Sequence, residues 1–433
     1  VIVNFFRKLK SSFSASENRA LFLIGLLILI FFTSLNWNAW AKDVWRGRAK
    51  DEIVPSWEGE IVKQEINRIV RLPEIRSRKV TIVKKETSVQ NATTGLTGPA
   101  VYISAYDYHT QADLQRVFEE VSSAGIKTVF FQVRNVADAY YRSSYEPWAE
   151  SLTGVLGRDP HWDPLSFAIR QAQKRKMHLY AWINIYTLWR GEIAPNSKDH
   201  LYWKHRDWIV YEKDKGRMQL NPGYLYVSPG NPAVNQYLKK ICLDIVSRYR
   251  IDGLLLDQLI YPNRYYSYDS VSLNNFRAQK DLNWNEWRVI QISNFVRDLR
   301  TELKAQVPAK SGSVSGGKVK VGASVCGRYS EGKTEYGQDS VYWVKHSWVD
   351  FIVPLIEWSL NESPRFDLQV RDFKNRVGTK KLWVGISAYR FGSSFSELSN
   401  QVKAAKKENL GNFAFYAYRH LKGKWAILNN LIK

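Results

Sequence analysis

Ser247-Arg-Tyr-Arg-Ile-Asp-Gly-Leu-Leu-Leu-Asp-Gln-Leu-Ile-Tyr-Pro262 is the stretch from which the fold is read. A helical segment rich in apolar residues ends in the basic Arg248 and Arg250. Ile251 to Leu256 is then almost wholly apolar, the pattern of a strand buried on both faces of a parallel sheet. Side chains alternate along a strand, so Gly253, Leu255 and Asp257 share one face. Asp257 closes this greasy run at the carboxyl end, where α/β folds carry their chemistry. A strand-end aspartate that only caps the next loop is the competing reading.

Working outward, strand-like and helix-like stretches alternate from Ala100 onward. The pattern predicts strands at Val101–Ala105, Thr128–Arg134, His178–Asn184, Ile251–Asp257, Val319–Val325, Phe351–Glu357, Leu382–Ala388 and Asn412–Tyr418. Amphipathic stretches lie between them, among them Gln111–Ser123, Pro164–Lys176, Ala233–Arg248, Trp284–Gln306 and Ser396–Glu408. Eight such units over about 330 residues predict a TIM-type (β/α)8 barrel. A doubly wound open sheet would carry a phosphate-binding glycine loop after its first strand, and Tyr106-Asp-Tyr-His-Thr110 has none.

A barrel of this kind builds its site from the loops after the strands. Those ends carry Asp107 and His109, then Arg134, Asn135 and Asp138, then Trp182, Asn184 and Tyr186. Asp257 and Tyr261 follow the fourth strand, Cys326 and Arg328 the fifth, and Glu357 and Trp358 the sixth. Tyr389 and Arg390 follow the seventh, and Tyr418 and Arg419 the eighth. Aromatic rings, acids and amides suit a polyhydroxylated ligand, stacked on the rings and hydrogen-bonded at its hydroxyls. Metal-ligand spacing is absent, so neither a metal nor a cofactor is expected. Cleavage of a glycosidic bond takes two carboxyl groups, one giving a proton to the leaving oxygen and one ionised. Asp257 and Glu357 are the most economical pair, with Asp138 and Asp107 in reserve. Arg134, Trp182, Asn184, Tyr186, Tyr261, Trp358, Asp107 and Tyr389 are the candidates for holding sugar rings. For any single acid, loop capping is as common as catalysis.

Composition narrows the setting. The 433 residues are 45% hydrophobic and 14% aromatic, which describes a well-cored protein and not a disordered one. A net charge of +22 draws anionic polymers: nucleic acid, acidic lipid or an anionic wall polymer. Nucleic acid finds no further support, since no zinc-finger spacing, RNA-recognition signature or concentrated basic tract occurs. Two cysteines, Cys242 and Cys326, make no disulfide framework.

Residues 1–19 are polar and basic, and Ala20–Leu35 is a hydrophobic run whose helix would span roughly 24 Å. Trp37 and Trp40 suit the far interface of a membrane. Ala39-Trp40-Ala41 also has the small-x-small form of a cleavage site, so the segment 20–40 is either an uncleaved transmembrane anchor, the preferred reading, or a signal peptide. Both readings export the rest of the chain. Residues 41–98 read as a stalk closed by Thr93-Thr-Gly-Leu-Thr-Gly-Pro99, and 99–433 as the barrel.

The strand-end motifs resemble a known family. Phe130-Phe-Gln-Val-Arg134, Asp138-Ala139, Pro147-Trp148, Leu152-Thr-Gly154 and Trp162-Asp-Pro-Leu165 resemble the glycosyl-hydrolase-like 10 family of bacterial envelope proteins. So do Ala181-Trp-Ile-Asn184, His205-Arg-Asp-Trp208, Ser228-Pro-Gly-Asn-Pro232, Tyr249–Pro262, Trp343–Trp358 and Leu382–Tyr389. Within that family the chain is similar to a divisome-associated peptidoglycan glycosidase. The resemblance implies a TIM-like barrel, an exported location at the cell envelope and hydrolysis of cell-wall glycan. The segment around Asp257 also looks like the nucleophile-bearing fourth strand of α-amylase-type barrels. Three departures stand out. The family's Asp-Asp pair after strand 4 is Asp257-Gln258, its Asn-Pro-Tyr is Asn184-Ile185-Tyr186, and its Pro-Gln-Ile-Tyr-Trp is Pro354-Leu-Ile-Glu357-Trp358. The expected function is therefore an exported glycoside hydrolase acting on peptidoglycan strands or a related N-acetylated glycan, tethered by its N-terminal helix. A catalytically silent glycan-binding scaffold of the envelope is the alternative, and a binder of anionic polymers or lipid a third.

Overall fold

The computed structural model describes residues 98–306, 319–391 and 395–432. The expected N-terminal anchor and nearly all of the stalk lie outside them. Among the described residues no helix is long and apolar enough to cross a membrane.

Eight parallel strands close into a barrel: β1 Ala100–Ile103, β2 Thr128–Arg134, β3 His178–Asn184, β4 Gly253–Asp257, β5 Lys320–Cys326, β6 Phe351–Ile356, β7 Val384–Ser387 and β8 Phe413–Tyr416. Every expected strand is present, several trimmed at one or both ends. Ile251 and Asp252 fall outside β4 because Asp252 is spent at the barrel's foot, accepting the Leu179 N–H at 2.8 Å. Helices follow the strands on the outside: α1 Gln111–Ser123, α2 Pro164–Lys174, α3 Pro232–Arg248, α4 Trp284–Gln306, α5 Ser340–Lys345, α6 Phe366–Val377, α7 Phe395–Lys407 and α8 Trp425–Ile432. Their starts are written in the sequence. Thr110 and Asp113 form a capping box before α1, and Asp163 and Asn231 cap helices that open on Pro164 and Pro232.

Two apolar layers follow from strand alternation. Val101, Val129, Leu254, Leu256 and Ile386 point outward to the helices. Tyr102, Phe130, Tyr180, Trp182, Leu255, Phe351 and Trp383 fill the inside. Such aromatic bulk fits because two inward positions have no side chain. A Cβ on Gly253 would lie closer than 3.0 Å to the Tyr180 ring, and one on Gly322 would meet the Phe351 ring in the same way. The barrel is therefore a packed plug with an open upper rim.

The β3–β4 connection is the largest excursion. It contains an antiparallel pair, Thr187–Gly191 with Asn221–Tyr226, and a hairpin, Tyr211–Glu212 with Gly216–Arg217. Tyr224 and Tyr226 from this excursion reach back to the rim, where their hydroxyls meet Asn135 at 3.4 Å and Gln258 at 3.0 Å.

Candidate active site at the carboxyl rim

Asp257 ends β4 in register with Asn184 of β3, on the inward phase set by Gly253 and Leu255. Its carboxylate is fixed at both oxygens. The Trp182 indole N–H donates to Oδ2 at 2.9 Å, and the Gln258 backbone N–H donates to Oδ1 at 2.7 Å. Both partners are donors, which suits the ionised form. Only 6% of Asp257 is exposed, and this burial pushes its carboxyl up to about 6 against the pull of the two N–H groups. Gln258 holds a left-handed backbone, φ 51°, uncommon away from glycine and often kept at functional sites.

A cavity of about 230 Å³ opens beside Asp257. Glu357, Trp358, Gln258, Cys326 and Glu331 share its walls. The two leading sequence candidates for the carboxyl pair, Asp257 and Glu357, thus line one cleft. Glu357 is exposed at the end of β6 and accepts a hydrogen bond from Tyr389, whose hydroxyl is pushed up to about 12 by burial and by that carboxylate. Tyr416, at the end of β8, lies edge-on to Trp182 at 5.8 Å, and burial followed by the Asp257 charge holds its hydroxyl protonated.

Other expected site residues sit elsewhere. Asp138 lies off this cavity's walls. It is buried and closes a turn by accepting the Val136 N–H at 2.9 Å, and burial raises its carboxyl. Arg134 lies under the rim, fully buried. Its Nε meets both oxygens of Glu146 at 3.0 and 2.9 Å, and Nη1 donates to the carbonyls of Asn184, Ile185 and Thr187. It therefore sets the backbone at the end of β3 and has no face for a sugar. The bulge at Gln132/Arg134 in the β2–β3 pairing turns it off the inward phase that simple alternation assigns. Tyr186 and Tyr261 are fully buried. Tyr186 donates to Asn235 at 2.9 Å, and Tyr261 packs under Arg288 at 4.3 Å. Asp107 is engaged by Arg419 at 3.0 Å and by Ser104.

Sequence reasoning missed three contributors. Tyr224 and Tyr226 come from the β3–β4 excursion, which carries no strand-end signal. Glu331 sits in the short helix Tyr329–Thr334 after β5, an acid followed by Gly332 in a segment with no motif. Asn135 was visible as a strand-end residue but not as a hub: it accepts from Asn184 at 3.1 Å and donates to Tyr106 at 3.1 Å. Asn184 Oδ1 is buried with no hydrogen-bond partner among the described residues, a free acceptor on the ring beside Asp257.

Comparison with known proteins agrees with this architecture. The model of the family described as glycosyl hydrolase-like 10 matches residues 100–403. Glycosyl hydrolase YngK of Bacillus subtilis is 28% identical over 294 residues, covering 65% of this chain and 56% of that protein. Glycosyl hydrolase DigH of Escherichia coli K12 is 27% identical over 307 residues, covering 63% of this chain and 65% of that protein. The matched region thus spans less than two thirds of either relative. Among solved structures, the PgaB (BpsB) glycoside hydrolase domain from Bordetella bronchiseptica superposes with a TM-score of 0.57 at 13% identity, over 78% of this chain and 99% of that one. The β-amylase catalytic domain from Paenibacillus polymyxa gives 0.55 at 11% identity, over 77% and 97%. At such identities these two speak for the barrel alone. The extent of the family match decides the relationship: the chain belongs to the glycosyl hydrolase-like 10 family.

Proposed function

We propose that the chain is an exported, membrane-anchored glycoside hydrolase that cleaves glycosidic bonds in cell-wall glycan, either peptidoglycan strands or a related N-acetylated polysaccharide. One observation carries this reading: a buried, doubly hydrogen-bonded strand-end carboxylate shares a cleft with a second, exposed carboxylate. Asp257 acts in its ionised form, either on the anomeric carbon or on the attacking water. Glu357 gives its proton to the leaving oxygen as the anomeric C–O bond breaks. Water then supplies hydroxide to the anomeric carbon and a proton to the carboxylate system, so the pair ends as it began. Trp358, Tyr389, Tyr224 and Asn184 hold the rings. The family relationship supports the reaction class, while wall glycan, export and tether rest on the sequence resemblance and the Ala20–Leu35 run. The net charge of +22 would keep the protein near anionic wall polymer.

Gln258 favours a second reading. It stands where the resembled family carries a second aspartate, and its amide is tied to Tyr226. A scaffold that binds glycan without cutting it would tolerate that change. Incubating the protein with purified peptide-free glycan strands separates the two. New reducing ends support hydrolysis, whereas retention on the strands with no product supports the scaffold.

A further inference from the structure

The seven connections that lead from a helix back to the next barrel strand all meet the foot of the barrel, the end opposite Asp257. Each carries an exposed basic residue that pairs with no acid among the described residues. Lys127, Lys176, Arg250 and Lys380 stand in the connections before β2, β3, β4 and β7. Lys304, Lys345 and Lys407 stand in the last turns of α4, α5 and α7. A cation in a last turn offsets the helix dipole, and that accounts for these three. The effect fades outside the helix, and Lys127 and Lys380 lie four and three residues past the ends of α1 and α6.

The acids at this end are spent internally. Asp252 meets His178 at 3.2 Å, Asp350 meets Arg300 at 3.0 Å and Glu408 meets Lys374 at 2.8 Å. The rim-side connections differ, since Glu192, Asp207, Asp214 and Glu357 are exposed there and form no ion pair among the described residues. The chain also enters the barrel at the foot: Pro99, just before β1, accepts the Lys127 N–H at 3.2 Å. The apolar run Ala20–Leu35 lies upstream of that entry.

We propose that the foot of the barrel is a docking face for an anionic lipid bilayer, which turns the Asp257 rim away from the membrane and toward the wall. This orientation rests on the membrane-tethered part of the reading above, and it supplies the face and the lipid chemistry. A ring of cations at one end meets a plane of phosphate headgroups several at a time. Each cation within a Debye length of that plane strengthens association about fivefold. Entry of the chain at the same end selects lipid over wall polymer, because a tether holds the foot at high effective concentration beside the bilayer.

The test uses the full chain, reconstituted into vesicles of phosphatidylcholine alone or with phosphatidylglycerol added. Exposed lysines are labelled with an amine-reactive reagent that does not cross the bilayer and are read site by site by mass spectrometry. With phosphatidylglycerol present, labelling of Lys127, Lys176, Lys345, Lys380 and Lys407 falls at least about fivefold, the weight of one basic residue at such a surface. Lys213 and Lys422, exposed on the rim side, keep their labelling. Salt near 1 M, where the screening length is about 3 Å, restores the foot lysines. Lys345→Glu, Lys380→Glu and Lys407→Glu together restore Lys127 and Lys176. Equal labelling in the two kinds of vesicle, shielding of the rim lysines, or shielding that survives the salt or the triple variant overturns the proposal. Shielding by purified wall sacculi but not by vesicles gives the face to wall polymer and also overturns it. Flotation with neutral vesicles reads the tether separately. A chain held by neutral vesicles, with foot lysines labelled alike in both, sinks this inference and leaves the tether standing. A chain that neutral vesicles release and phosphatidylglycerol vesicles hold by the foot supports this inference and sinks the tether.

Discussion

At the scale of single residues, Asp257 combines two properties that rarely meet: burial that favours its protonated form and two N–H donors that favour its ionised form. The balance near 6 makes its chemistry pH-dependent within the working range. If the ionised form acts, kcat/KM for glycan cleavage falls as pH drops through about 6. Trp182→Phe removes one stabilising donor, so that limb moves up by about one pH unit in a pH–rate profile. The same shift has a stability consequence of opposite sense. The folded value of about 6 exceeds the ordinary 3.8, so the folded state binds this proton more tightly than the unfolded chain does. Asp257's contribution is therefore complete below about pH 4 and lost as pH rises through about 6. Compared with Asp257→Asn in denaturant titrations, the wild type loses about 3 kcal/mol between those limits, at about 1.4 kcal/mol per unit. A flat difference over that range contradicts a buried Asp257. This residue was legible from the first: an acid ending an apolar strand on the inward phase. Arg134 was not, because the bulge that turns it toward Glu146 leaves no trace in alternation.

At the scale of elements, the strands were legible because each is a short apolar run between clear helix starts. The rim was harder to read, since its loops carry Tyr224, Tyr226 and Glu331 without periodicity. Gly253→Ala and Gly322→Ala each place a methyl closer than 3.0 Å to an aromatic ring in the barrel plug. Each is expected to cost about 1–3 kcal/mol by overpacking, read as a lower denaturation midpoint with unchanged slope. Arg134→Met strands the Glu146 carboxylate in the interior, where both side chains are 0% exposed. That is expected to cost about 3–5 kcal/mol, most of it recovered when Glu146 is also replaced by an apolar residue. Full loss persisting in the double variant would mean the pair does more than hold the β2 and β3 ends together.

At the scale of the molecule, the closed ring of strands gives a packed, aromatic plug beneath a carboxyl rim that carries the cavity beside Asp257. Among the described residues, the charged groups lining that rim's cavity are all acidic. Fold and rim were readable from eight strand ends taken together, whereas the three-acid cleft needed the loops in place. The most direct measurement is the initial rate of reducing-end release from peptide-free glycan strands by wild type and Asp257→Asn, each with its glycan affinity measured alongside. The account predicts affinity retained within a few-fold and release lost by at least about a hundredfold in the variant. Release by Asp257→Asn at the wild-type rate would contradict it.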